Sequence, residues 1–197
     1  MRVQKLIGFD CDEVLANFHI ALEKFVHLKY GSRRYSLDEI TSYHETQKLW
    51  GCSPEEAGQR ILEFYDDPTG LIGISPVAGA LEVINKINLY HRMVVITLRP
   101  PSTEEETRKW FDIYFPNIFE DIFFLGGRFS KKPRSKGEVC KEIGVDVFVD
   151  DHIKYIKSVS EVGIPSLLFD RPWNRNEGLP PLTTRVFGWK NVLEHLL

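Results

Sequence analysis

Residues 7–18 read IGFDCDEVLANF, and this stretch decides the fold. An apolar run stops at Asp10, and two more acids, Asp12 and Glu13, follow within three residues. Carboxylates this close repel one another, and burial beside a strand disfavours their charged forms. An acid after a strand is often only a helix N-cap, so the cluster is either a cap or part of a functional site.

The composition limits the class of protein. The chain has 197 residues, 43% of them hydrophobic, which fits one domain or one domain with a small insertion. A net charge of −3 without a long Lys or Arg run argues against polymeric nucleic acid as a partner, but allows a small phosphate. No apolar stretch is long enough for a membrane span, and the first residues do not resemble a signal peptide. Three irregularly spaced cysteines predict free thiols and a cytoplasmic location.

Short apolar runs alternate with helical patterns over most of the chain. The predicted strands are residues 6–9, 93–97, 122–125, 147–149 and 166–169. The predicted helices are residues 77–89, 103–114, 135–143, 153–162 and 191–197. The apolar runs do not alternate with polar residues, as is typical of parallel strands that are covered on both faces. The pattern predicts an α/β fold with a doubly wound parallel sheet.

Residues 17–75 interrupt this alternation. They contain no convincing strand pattern, whereas residues 21–28, 37–43 and 54–65 have helical patterns. An all-helical insertion after the first strand is best interpreted as a cap over the carboxyl edge of the sheet. The predicted division is an α/β core formed by residues 1–16 and 76–197, and a helical cap formed by residues 17–75.

Polar residues stand after the predicted strands, or at a helix start, in four places. They are Asp10 with Asp12, Thr97, Lys136, and Asp150 with Asp151. The carboxyl edge of an open parallel sheet is where ligands bind. In this order, the set resembles the motifs of the haloacid dehalogenase (HAD) superfamily of phosphohydrolases. The resemblance implies a Rossmann-like core in which the strand ending at Asp10 lies between those ending at Thr97 and Asp150.

The resemblance also implies the reaction. Asp10 would be the nucleophile that forms an aspartyl-phosphate, and Asp12 would protonate the leaving alcohol and then activate water. Thr97 would donate a hydrogen bond to the phosphate, and Lys136 would pair with the nucleophile and the phosphate. Lys131, Lys132 and Lys141 are alternatives to Lys136, which is preferred because it starts the helix that precedes the strand ending at Asp150.

A Mg²⁺ cofactor follows from the same resemblance. A phosphate monoester is an anion, so attack by a carboxylate needs a cation that neutralises charge. Mg²⁺ prefers oxygen ligands. Asp10, Asp150 and the backbone carbonyl of Asp12 would hold it, with Asp151 as a supporting ligand.

Three further stretches narrow the family. Residues 10–18 (DCDEVLANF), 74–80 (ISPVAGA) and 169–174 (FDRPWN) resemble the type C 5′(3′)-deoxyribonucleotidases. The resemblance implies a nucleoside monophosphate substrate. Glu13 stands where glycine is common in that family, and residues 98–100 differ from the animal enzymes. Glu13 is therefore either a solvated hinge residue or a contributor to substrate choice.

The expected substrate contacts are aromatic. In the family, the base stacks between aromatic side chains under the cap, and Phe18 is the first candidate. Tyr43, Trp50, Phe64 and Tyr65 either stack on the base as well or fill the cap's own core. Arg99 either contacts a phosphate or base edge, or pairs with the acids at residues 104–106.

Other functions remain as alternatives. A phosphatase of another small ester, such as a sugar phosphate, would use the same motifs. A signalling receiver domain fits less well, because its acidic pair precedes the acceptor aspartate and it has no inserted cap. A catalytically silent phosphate-binding protein is disfavoured, because every expected catalytic residue type is present. The oligomeric state is not predicted.

Overall fold

A computed structural model describes residues 3–42, 46–127 and 130–197. In these residues the centre of the fold is a parallel sheet of six strands, in the order β3-β2-β1-β4-β5-β6. The strands are β1 (Leu6–Phe9), β2 (Arg92–Thr97), β3 (Ile122–Phe124), β4 (Val147–Asp150), β5 (Ser166–Phe169) and β6 (Thr183–Val186). The predicted fold class is confirmed, and β1 lies between β2 and β4 as the HAD resemblance implies.

Strand β6 was not predicted from the sequence. It forms the outer edge of the sheet and pairs with β5 alone. Its sequence is TTRV, and only Val186 is buried. An edge strand of this kind lacks the continuous apolar run that marks the inner strands, so the criterion used for the other strands could not find it.

Helices cover both faces of the sheet and form the segment after β1. They are α1 (Phe18–Tyr30), α2 (Thr46–Trp50), α3 (Pro54–Tyr65), α4 (Pro68–Ile72), α5 (Ala80–Asn88), α6 (Glu104–Tyr114), α7 (Lys136–Ile143), α8 (Ile153–Ser160) and α9 (Trp189–Leu196). The predicted helix over residues 37–43 is wrong for the described residues. A capping box between Ser36 and Glu39 starts a single 3₁₀ turn, but Ile40 leaves the helical conformation and is buried.

The helical insertion, residues 17–75, begins and ends at one place. The backbone N–H of Asn17 donates to the carbonyl of Ser75, and the Asn17 amide donates to Pro76 at 2.9 Å. Helices α1, α3 and α4 then contribute to a hydrophobic cluster that also contains β1, β2 and α6. Trp110 in α6 donates from its indole to the carbonyl of Ile74 at 2.7 Å. The insertion is therefore packed onto the sheet, and its function as a cap remains a prediction.

The described helices also bear on membrane insertion. Within residues 3–42, 46–127 and 130–197, none of them has both the length and the apolar character of a membrane-spanning segment.

Candidate active site

Three buried carboxylates meet at the carboxyl edge of the sheet. Asp10 follows β1, Asp150 ends β4 and Asp151 comes next, and one oxygen of each lies within 4.8 Å of the others. Strands β1 and β4 are parallel neighbours with Phe9 opposite Val149, so the residues that follow emerge side by side. We call Asp10, Asp150 and Asp151 the carboxylate cluster.

Lys136 reaches this cluster from the start of α7. Its Nζ lies 2.7 Å from Asp10 Oδ1 and 2.7 Å from Asp150 Oδ2, and its side chain is 1% exposed. A capping box between Ser135 and Glu138 fixes the first turn of α7. Gly137 allows α7 to approach α8 closely, because a Cβ there would lie 2.0 Å from the carbonyl oxygen of Ser158. The capped first turn of α7 and its close packing on α8 therefore fix the position of Lys136 beside the carboxylate cluster.

The surroundings of the cluster raise the pKa values of two of its three acids. Burial raises the pKa of Asp10 to about 7; Lys136 opposes this rise, and Asp150 and Asp12 add to it. Burial also raises the pKa of Asp151 well above its usual value, with Asp150 and Asp10 as further causes. Burial alone would lower the pKa of Lys136, yet Asp10 and Asp150 raise it above its ordinary range. Excess negative charge on buried oxygen donors is the chemistry that fits a hard divalent cation.

Asp12 has different surroundings from Asp10. Its carboxylate accepts from Arg99, with Nη2 at 2.7 Å from Oδ1 and Nε at 3.1 and 3.2 Å from Oδ1 and Oδ2. Arg99 also donates from Nη1 to Thr107 Oγ1 at 3.0 Å. The Asp12 carboxylate is therefore not part of the carboxylate cluster, and its predicted contact with a metal is through its backbone carbonyl only.

Both sequence-based expectations for Arg99 are corrected by this arrangement. The side chain has no exposed surface, so it does not present a charge to a phosphate or base edge. Two of the three acids after β2 have other partners, since Glu104 pairs with Arg108 and Glu105 with Lys109, and the charge of Arg99 lies on Asp12. The chain turns back into the protein after Thr97, and Asp12 and Thr107 supply the acceptors that the buried guanidinium requires.

Thr97 ends β2 beside β1. It is fully buried, and its Oγ1 accepts from the backbone N–H of Arg99 at 3.2 Å. Its position at the edge next to Asp10 agrees with a hydroxyl near a bound phosphate, and that contact remains a prediction.

A cavity lies beside the loop that follows β1. Its walls are Asp10, Asp12, Glu13, Phe18, His19, Tyr65, Leu98, Asp151, His152 and Tyr155. Phe18 and Tyr65 thus stand beside the acids, with ring centroids 5.5 Å apart. Two aromatic residues, one from α1 and one from α3, are available for an apolar ligand surface.

Trp50, one of the proposed substrate residues, does not line this cavity. Trp50 is buried in the hydrophobic cluster of the insertion, and its indole N–H donates to the hydroxyl of Tyr35 at 2.9 Å. Its polar atom has a protein partner, which is the arrangement expected of a core residue. Tyr43 lies outside the described residues.

The surroundings of Glu13 differ from those that the sequence suggests. It is 1% exposed, so the solvated-hinge alternative is wrong. Its Oε1 accepts from the backbone N–H of His19 at 2.6 Å, and its carbonyl accepts from Arg171. Burial raises its pKa to about 7. Its φ of 61° lies in the left-handed region, which favours glycine.

Comparisons with known proteins find matches along nearly the whole chain. A family model described as "5' nucleotidase, deoxy (Pyrimidine), cytosolic type C protein" matches residues 4–197. The chain is 28% identical to "Putative nucleotidase OB0422" from Oceanobacillus iheyensis, over 96% of this chain and 98% of that one.

Solved structures share the fold at lower identity. A haloacid dehalogenase-like hydrolase, SP0104 from Streptococcus pneumoniae, has a TM-score of 0.70 at 14% identity, over 98% of this chain and 99% of that one. The HAD hydrolase YfnB from Bacillus subtilis, described as bound to magnesium, has a TM-score of 0.63 at 14% identity, over 99% of each chain.

Proposed function

The chain belongs to the family of cytosolic type C 5′ nucleotidases, within the HAD hydrolases, and from this premise we propose its substrate and mechanism. It is a Mg²⁺-dependent phosphatase that hydrolyses nucleoside monophosphates, deoxyribonucleotides among them, through an aspartyl-phosphate. The observation that carries the proposal is the buried carboxylate cluster with a single lysine, directly beside a cavity walled by aromatic side chains.

The carboxylate cluster fits the proposed cofactor. Asp10, Asp150 and Asp151 offer only oxygen atoms, and Lys136 leaves part of their charge uncompensated. Bound Mg²⁺ would supply charge neutralisation for the phosphoryl group and for the attacking carboxylate. The fold relative described as bound to magnesium agrees with this choice of ion.

The proposed chemistry has two steps. A carboxylate oxygen of Asp10 attacks phosphorus, the bond to the ester oxygen breaks, and that oxygen takes a proton from Asp12. Water then attacks the aspartyl-phosphate and gives a proton to Asp12, which releases phosphate and restores Asp10. Lys136 holds one oxygen of Asp10 and so leaves the other to react. Thr97 would hold the phosphate with its hydroxyl.

The proposed base site is formed by Phe18 and Tyr65. Stacking on an aromatic face is worth about 1–3 kcal/mol per base and tolerates different bases. Both rings line the cavity that contains Asp10 and Asp12, so a base there would be next to the phosphate site. This juxtaposition favours a nucleotide over a sugar phosphate, which has no aromatic surface to stack.

A substrate panel with released phosphate as the readout tests this function. Ribo- and deoxyribonucleoside 5′- and 3′-monophosphates, glucose 6-phosphate and p-nitrophenyl phosphate would be compared with Mg²⁺ and with EDTA. We expect the highest kcat/KM for a nucleoside monophosphate, and loss of activity in EDTA. Equal or better turnover of glucose 6-phosphate would contradict the nucleotide assignment, and full activity in EDTA would contradict the metal.

A further inference from the structure

We propose that Arg99 is a positioning residue, which holds the Asp12 carboxylate in place and leaves one of its oxygens to exchange a proton with the leaving group. The inference rests on the proposed function, in which Asp12 carries that proton. Arg99 would thus support protonation of the ester oxygen by Asp12 and would not contact the substrate.

The first observation is that all three nitrogens of the guanidinium donate to protein acceptors. Nε and Nη2 donate to Asp12, and Nη1 donates to Thr107 Oγ1 at 3.0 Å. The side chain has no exposed surface, whereas that of Asp12 is 19% exposed. Of the two partners, only Asp12 can reach a substrate in the cavity that it lines. Any effect of Arg99 on the reaction therefore passes through Asp12.

The second observation is that Arg99 treats the two oxygens of Asp12 unequally. Oδ1 receives Nη2 at 2.7 Å and Nε at 3.1 Å, while Oδ2 receives only the 3.2 Å contact from Nε. The anchored oxygen is a poor site for a proton because two N–H groups already point at it. Oδ2 is the oxygen whose remaining lone pair can hold the proton. The geometry thus distinguishes the anchoring oxygen from the exchanging one.

The third observation is that hydrogen bonds hold Arg99 both at its backbone and at its guanidinium. The backbone N–H of Arg99 donates to Thr97 Oγ1 at 3.2 Å, just after β2, and Nη1 is tied to α6 through Thr107. A planar guanidinium held at these points fixes the plane of the carboxylate that it binds. A lysine could not do so, because a single ammonium has no fork to align with two oxygens.

The same strand supplies a matched control. Arg92 begins β2 at its other end and makes a similar two-point contact with Glu120, at 2.6 Å and 2.7 Å. That pair is exposed and distant from the cavity, so it has the chemistry of an Arg–carboxylate fork without the proposed role. Arg92→Lys should leave every kinetic constant unchanged.

The experiment compares two leaving groups. Arg99→Lys and Arg92→Lys would be assayed on the nucleoside monophosphate that the native protein prefers and on p-nitrophenyl phosphate, whose leaving group needs no proton. For Arg99→Lys we expect kcat/KM to fall about 10²-fold on the nucleotide and about threefold or less on the aryl ester. An equal fall on both esters would mean a purely structural role and would overturn the proposal, as would no fall on the nucleotide.

A second pair of variants remains informative if Arg99→Lys does not fold. Thr107→Val removes the acceptor of Nη1 and keeps the side-chain shape, whereas Thr107→Ser keeps a hydroxyl. We expect the same leaving-group split, about tenfold smaller, in Thr107→Val and its absence in Thr107→Ser. Identical behaviour of these two variants on both esters would contradict the anchoring role of Thr107.

Failure of the nucleotide assignment is distinguishable from failure of this proposal. If the native protein prefers glucose 6-phosphate, the nucleotide assignment fails, and the leaving-group comparison is made on that alkyl ester. Crystal structures of the native protein and Arg99→Lys give a readout that needs no turnover. A carboxylate of Asp12 that stays in place in the variant would overturn the positioning role, and a rotated or displaced carboxylate would support it.

Discussion

The two aspartates of the loop after β1 are separated by one residue and lie in opposite surroundings. Asp10 belongs to the carboxylate cluster, where Lys136 lies 2.7 Å from two of the three acids. Asp12 faces a buried arginine, one charge against one. Placing two like groups in different environments is how a site gives them different roles. The three acids of the first region outnumber its lysine, whereas in the second region one arginine faces one aspartate.

The largest expected effect comes from removing the proposed nucleophile in the first region. Asp10→Asn keeps the shape of the side chain and removes the carboxylate that we propose as the nucleophile, so we expect kcat to fall by at least about 10⁴-fold with the fold intact. Phosphate release and circular dichroism measure the two outcomes. Asp112→Asn, an exposed aspartate on α6, is the control and should be fully active. Undiminished turnover in Asp10→Asn would remove Asp10 from the role of nucleophile.

The first region could largely be predicted from sequence, because each of its residues is tied to a regular element. Asp10 and Asp150 end buried apolar runs, and adjacent parallel strands bring such ends together. Lys136 was selected over Lys131, Lys132 and Lys141 because it starts a helix, and the structure places it against Asp10.

The second region could not be predicted, because its contacts depend on side-chain directions in irregular segments. Arg99 follows β2 by two residues, and nothing in its local sequence distinguishes an inward from an outward direction. Glu13 is buried and adopts a left-handed backbone, and charge patterning reveals neither of these features. Strand β6 was missed for a related reason, since an edge strand carries little apolar signal.

The next largest effect is on stability and separates the two regions. Lys136→Met leaves the carboxylate cluster without its cation, and breaking a buried pair in this way costs about 3–5 kcal/mol. Urea unfolding without Mg²⁺ would measure the loss. The loss should be smaller at pH 5 than at pH 8, because protonation of Asp10, whose pKa is already raised to about 7, relieves the repulsion.

Exposed Lys109 provides the control for this change. It pairs with Glu105 on the surface of α6, and Lys109→Met should change the free energy of unfolding by less than about 0.5 kcal/mol. A similar small change in Lys136→Met would mean that the cluster needs no internal cation.

Mg²⁺ binding should distinguish an aspartate of the carboxylate cluster, Asp150, from Asp12. Saturating Mg²⁺ at about 100 times its Kd adds about 2.7 kcal/mol of stability, or roughly 5–10 °C in Tm for a chain of this size. Asp150→Asn should abolish most of this shift. Asp12→Asn should retain at least about half of it, because its carboxylate lies on Arg99 and not in the cluster. Equal losses in the two variants, measured by thermal unfolding, would contradict the division into two regions.

The smallest expected effect concerns His19, a buried residue between the two regions. The centroid of its ring lies 5.2 Å from that of Trp173, whose indole N–H donates to Asp151. The charge of Asp12 also acts on the pKa of His19, which it raises. Burial lowers the pKa of His19 from 6.5 to about 4, so the folded protein holds it neutral. Below pH 6.5, His19 binds a proton in the unfolded chain but not in the folded chain. The free energy of unfolding therefore decreases as the pH falls from 6.5 towards 4.

Between pH 7 and pH 5.5 this linkage is worth about 1 kcal/mol of the free energy of unfolding. Asp10 and Glu13 act in the opposite direction, because their pKa values are raised, and they are common to the native protein and a His19→Gln variant. Urea unfolding at the two pH values should therefore show that the native protein loses about 1 kcal/mol more than His19→Gln. The same pH dependence in both proteins would mean that His19 is protonated in the folded protein at pH 5.5. Its positive charge would then add to that of Arg99 near Asp12. The second region would hold two positive charges against one negative charge.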